Sequence, residues 1–155
     1  MKIQLEVNNL TKSPVPDSFF VSVAKTILNK ADFKFLKNKK VIISLALIAP
    51  KEIKKINRTY RKNNKVTDIL SFAEYNQLAA IKKDKNKEIF LGELIVCYDN
   101  IKRYALENKL PFKKELVEVF SHGLLHLLGF NHGKKMFDLQ KELTRNQKGI
   151  KSKNV

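Results

Sequence analysis

Residues 112–132, FKKELVEVFSHGLLHLLGFNH, constrain the fold of this chain more than any other segment. Leu116, Val119, Phe120, Gly123 and Leu127 recur at helical spacing, so a helix from about Phe112 to Gly129 has to lay that face on a core. His122 and His126 are four residues apart and share another face, about one turn from each other. Gly129 is a natural helix stop, after which Phe130 and Asn131 let the chain turn and bring His132 back toward the first two. These are all the histidines in the sequence. Three neutral imidazoles converging from a helix and the turn after it suit one divalent transition ion, zinc first, with an open fourth position.

A chain of 155 residues is long enough to bury a single core without disulfides or a structural metal, so a bound metal is expected to serve chemistry. The expected layout is one domain over residues 1–148 and a basic, disordered tail over 149–155. Cys97 is the lone cysteine and reads as a small buried apolar residue, which suits a reducing cytoplasm. The alternating start, Lys2 to Val7, is unlike a signal peptide, and no apolar run approaches a membrane span. The net charge of +16 favours a polyanionic partner, nucleic acid above all. Only Arg58, Arg61, Arg103 and Arg145 among the basic residues are arginine, so an AT-rich coding sequence accounts for the lysine excess equally well.

Along the chain, Ile3, Leu5 and Val7 alternate as in a half-buried strand. After Pro14 and Pro16, Asp17 caps a helix with Phe20, Val23, Ala24, Ile27 and Leu28 inward. Val41 to Ile48 is a continuous apolar run, a strand expected at the centre of a sheet and buried on both faces. Pro50 starts a short helix with Ile53, Ile56 and Tyr60 on its inner side and Lys and Arg opposite. Strands are expected over 67–74 and 89–98, joined by a lysine-rich connection that reads as a solvated hairpin tip or an RNA-touching loop. Asp99 caps a helix ended near Pro111, the histidine helix follows, and a last helix carries Met136, Leu139 and Leu143. The order β-α-β-α-β-β-α-α-α predicts a single α+β domain, a mixed four-stranded sheet packed against about five helices.

The histidine pattern departs from the zinc-peptidase helix HExxH at one decisive position. Gly123 stands where such a peptidase carries its glutamate base, so the peptidase reading falls away and phosphodiester chemistry gains. That chemistry needs a further cation for developing phosphate charge, and Arg61, in the polar stretch before a strand, is the best placed. Taken alone, Arg61 reads equally as a solvated helix end. Arg61 and His122 are the catalytic candidates; His122, His126 and His132 are the metal candidates. Glu115 and Glu118 share the face of His122, either as outer partners of a ligand or, more commonly, as solvated carboxylates.

HGLLHLLGFNH resembles the HGxLHLxGYDH signature of the YbeY endoribonucleases, the rRNA maturation factors. YRKNNKVTDILSFAE, from Tyr60 to Glu74, is similar to that family's YRGxDxxTDVLSFP block, and Leu91-Gly92-Glu93 to its LGDI strand. The blocks occur in family order, and the resemblance covers residues 1–145. It implies a zinc-dependent, single-strand-specific endoribonuclease that matures the 3′ end of small-subunit rRNA and acts in ribosome quality control. It also implies that His122, His126 and His132 bind zinc and that Arg61 is required for activity. The implied partners are rRNA, the small ribosomal subunit and an Era-type GTPase. Asn131 stands for the family's Asp, Phe130 for Tyr and Ala73 for Pro. A non-catalytic RNA-binding assembly factor with a structural metal, and a metal hydrolase of another substrate class, are the competing readings.

Overall fold

The computed structural model describes residues 1–131 and 133–146, the side chains of 143–146 excepted. His132, the side chain of Leu143 and the expected tail over 149–155 therefore lie outside the described residues. Four strands, β1 (Lys2–Asn9), β2 (Lys40–Leu47), β3 (Ile69–Ala73) and β4 (Glu88–Val96), form one sheet in the order β1-β2-β4-β3. β1, β2 and β4 run parallel, and β3 pairs antiparallel with β4 at the edge. Among the described residues there are six α-helices, α1 (Asp17–Leu28), α2 (Pro50–Arg61), α3 (Leu78–Lys83), α4 (Tyr98–Glu107), α5 (Phe112–Leu127) and α6 (Lys134–Asn146). A 3-10 turn, Ala31–Leu36, precedes β2. This is the α+β domain with a mixed four-stranded sheet that the sequence predicts.

Parallel pairing forces long crossovers, and these place helices on the sheet. Val41, Ile43, Leu45 and Leu47 of β2 are fully buried on the face covered by α1 and α5, in one core with Phe20, Ile27, Phe120 and Leu124. Across the sheet, Ile53 of α2 packs with Ile48, Leu70, Ile95 and Cys97 in a smaller core. β2 is therefore central, as expected, but alternates between a fully buried face and a half-buried one. Cys97 is fully buried, and that burial pushes its thiol pKa up.

Two differences from the sequence reading have physical causes. The 76–88 connection does link an antiparallel pair, yet it contains α3, whose Ile81 is fully buried. Ile81 and the half-buried Leu78 pack against the main core and seat this short helix. On α2 Ile53 and Asn57 are buried and Ile56 packs against the smaller core, as expected for the two isoleucines, while Tyr60 is 64% exposed. Asn57 is satisfied by donating its Nδ2 to the Lys65 carbonyl at 3.0 Å, which closes the loop after a left-handed Lys62.

At Gly123 no side chain stands between α5 and the sheet. A Cβ there would collide with Ile69 Cδ1 and reach Leu94 Cδ2 at 3.0 Å and Ser71 Oγ at 3.2 Å. The position after the first histidine thus faces β3 and β4, where a glutamate would have to displace the ends of Ile69 and Leu94 and would point into the packed seam. Next to it, Ser121 is buried with its Oγ unpartnered among the described residues.

Two stability outcomes follow from this seating. Gly123→Glu forces a carboxylate into the packed seam and is expected to abolish cooperative folding in urea denaturation followed by circular dichroism. Ser121→Ala removes an unsatisfied hydroxyl and is expected to raise stability by about 1 kcal/mol in the same measurement; a loss of that size would show the hydroxyl to be partnered.

Candidate active-site cleft

α5 ends where the sequence places its stop. Gly129 adopts φ +91°, its N–H bonds the His126 carbonyl at 3.0 Å, and the Phe130 N–H bonds the Leu125 carbonyl at 3.1 Å. This is a Schellman closure, which glycine enters without Cβ strain. A side chain at Gly129 would also strike the backbone of Gln77 and Leu78 in the wall opposite. The closure carries Phe130 back over the helix end, where its ring meets Phe33 edge-on at 6.0 Å. Phe130 thus occupies an apolar place, consistent with the absence of a tyrosine hydroxyl.

The same turn fixes one histidine. His126 Nδ1 lies 2.9 Å from the Phe130 carbonyl oxygen, which only accepts, so Nδ1 carries a proton and, in the neutral ring, Nε2 carries the lone pair. His126 Nε2 faces His122 Nε2 at 3.0 Å, with the rings nearly perpendicular at 83°. Two nitrogens this close need a proton or a cation between them. A carbonyl-oriented imidazole paired with a second one is a donor set that fits a borderline divalent ion such as zinc. His122 and His126 are the described residues able to hold it; His132, the third expected ligand, is outside them.

Arg61 reaches the same cleft from the other side. It is the last residue of α2; its Nη2 donates to the Ser71 carbonyl at 2.7 Å, and its guanidinium lies 4.7 Å over the Phe72 ring. A guanidinium has five N–H donors in a rigid fork, so one bond to the strand edge aims the others without consuming them. Ser71 was not singled out from sequence although it lies inside the TDILSF block. It joins both halves of the cleft, since its Oγ also makes a long 3.4 Å contact to the Gly123 carbonyl.

The cleft has a volume of about 930 Å³, and Arg61, His122, His126, Tyr75 and Asn131 are among the residues lining it. Tyr75 donates its hydroxyl to Asp84 Oδ2 at 2.6 Å, tying the α3 loop across its own base. Burial and that carboxylate push the Tyr75 pKa up to about 12, so it stays protonated. Glu115 and Glu118 also line the cleft, farther from the helix end. Burial first, then the charges of Glu118 and Asp68, raise the Glu115 carboxyl above its ordinary range, while Lys114 opposes them. The exposed Asn131 lies on the wall, and Ala73 ends β3 opposite Gly92.

Comparison with known proteins places the chain in a family. The family model described as Endoribonuclease YbeY matches residues 6–153. The endoribonuclease YbeY of Ureaplasma urealyticum serovar 10 is 33% identical over 157 residues, covering 94% of this chain and 97% of its own. That of Staphylococcus carnosus is 38% identical over 109 residues, covering 67% of this chain and 71% of its own. A solution structure from Thermotoga maritima shares the fold, with a TM-score of 0.58 and 24% identity over 97% of both chains. The chain belongs to the YbeY endoribonuclease family.

Proposed function

We propose that this protein is a metal-dependent endoribonuclease that cleaves single-stranded RNA, with zinc as its ion. One observation carries the reading: Arg61, from α2, and His122 and His126, from α5, face one cleft although they are 61 residues apart at their nearest. His122, His126 and His132 are the proposed ligands. When bound, such an ion supplies positive charge at a phosphoryl oxygen and makes water a better nucleophile near neutral pH.

The chain's own groups do the rest. Phe130 fixes the tautomer of His126 through its carbonyl. Ser71 holds Arg61 so that the guanidinium fork stabilises charge developing on the phosphate. The net charge of +16 draws a polyanion toward the cleft. Lysines between Lys62 and Lys87 are proposed to hold the strand. The finer reading, maturation of the small-subunit rRNA 3′ end and ribosome quality control with the small subunit and an Era-type GTPase as partners, is supported by family resemblance alone. The lone buried Cys97 suits a cytoplasmic setting. No helix among the described residues is long and apolar enough to cross a membrane.

Purified protein incubated with single-stranded RNA and zinc tests the activity. Arg61→Ala is expected to lower kcat by about 10²–10³-fold, as for loss of one donor to a developing anion, with His126→Ala at least as low. Cleavage by both variants at the wild-type rate would sink the assignment.

Glu115 gives the cleft a pH dependence. Its folded pKa is raised, so it is neutral below the ordinary carboxylate range and adds negative charge to the cleft as pH rises through its raised value. RNA affinity of the wild type should therefore weaken across that window, and Glu115→Gln should bind RNA more tightly than wild type at pH 7. The two should converge in acid, below the ordinary carboxylate pKa of about 4. Fluorescence anisotropy with a labelled oligonucleotide reads the difference; identical affinities at all pH values would remove Glu115 from the RNA path.

A further inference from the structure

The residue beside Arg61 has a surroundings problem that packing does not solve. Tyr60, next to last in α2, leaves 64% of its surface exposed, although a large aromatic at that helical position is expected inward. Its ring is nonetheless held: it meets Phe72 edge-to-face, with centroids 5.6 Å apart and planes at 78°. Phe72 carries the Arg61 guanidinium as well, at 4.7 Å. Tyr60, Phe72 and Arg61 thus form one cluster, in which Arg61 lines the cleft and Tyr60 presents an ordered ring just outside it.

The charge around the cluster is one-sided. From Lys51 to Lys65 the chain carries Lys51, Lys54, Lys55, Arg58, Arg61, Lys62 and Lys65, all exposed, against Glu52 as the only carboxylate of that segment. An exposed rigid aromatic next to a phosphate-seeking arginine on a basic rim matches the alternating chemistry of a single strand, a phosphate and then a flat base.

We propose that Tyr60 is a stacking platform for the nucleobase adjoining the phosphate held at Arg61, so that the RNA leaves the cleft across the β3 edge and over the end of α2. This inference rests on the endoribonuclease reading above. A base on Tyr60 would be recognised by its π-face, so the platform selects for an unpaired strand and tolerates any base. A base locked in a duplex has no free face to offer, which gives single-strand preference a physical source at a named residue.

The test uses the full chain with a single-stranded RNA of about twelve nucleotides, a length within the range single-strand sites span. The same RNA is also made with an abasic nucleotide at each position in turn. Tyr60→Ala is expected to raise KM by about 10-fold, whereas Tyr60→Phe and Tyr60→Trp stay near wild type and Tyr60→Leu resembles Ala. At one abasic position the wild type should fall to the level of Tyr60→Ala, and the difference between them should vanish. A wild-type KM for Tyr60→Ala overturns the platform while cleavage by the wild type leaves the Arg61 reading standing. A Tyr60→Ala deficit that persists undiminished at every abasic position shows that no base stacks on Tyr60, which also overturns the platform. Failure of the wild type to cleave the RNA at all defeats the endoribonuclease reading, and the platform with it.

Discussion

The close approach of α5 to β3 is the contact from which the cleft takes its shape. With no side chain at Gly123, the helix settles against Ile69 of the edge strand and Leu94 of its neighbour. That edge strand is where Arg61 is pinned, through the Ser71 carbonyl. Ser71 therefore has a double duty, touching the Gly123 carbonyl with its hydroxyl and holding Arg61 with its backbone. Two groups from opposite sides of the sheet are brought to one opening by a single strand of five residues. Such precision is easier on regular elements than on loops, because helix and strand geometry is set by backbone hydrogen bonds.

The second requirement is the turn at the end of α5. Glycine at positive φ closes the helix and returns Phe130 so that its carbonyl fixes His126. The α3 loop stands directly against that glycine, so the wall and the histidines are set by the same few atoms. Tyr75, bonded to Asp84, and Lys39, donating to the Asp84 and Asn86 carbonyls, hold that loop to the body of the domain. The cleft is thus walled by tethered pieces on each described side.

Much of this was legible in the sequence. Helical spacing placed His122 and His126 on one face, Gly129 marked the stop, and the apolar run 41–48 marked the sheet's centre, because periodicity and chain reversals are local properties. Other features depended on tertiary contact. Gly123 read as the absence of a base, and only its neighbours reveal that a side chain there would meet Ile69, Leu94 and Ser71 in the seam. Tyr60 read as a core residue from its spacing, whereas Asn57 takes the inward place because Lys65 satisfies its amide. α3 was hidden in a lysine-rich connection, with the short apolar run from Leu78 to Ile81 as its signal. Ser71 lay in a recognised block, but a serine's importance as a junction appears only once both its partners are in place.

The proposal on which the rest turns is that His122 and His126, together with His132, form one metal centre in the cleft. Titration of zinc into metal-stripped protein, followed calorimetrically with circular dichroism alongside, tests it most directly. The account requires one ion per chain for the wild type and loss of that binding in His122→Ala and His126→Ala, with helical content retained in all three. Stoichiometric zinc binding that survives both substitutions would contradict it.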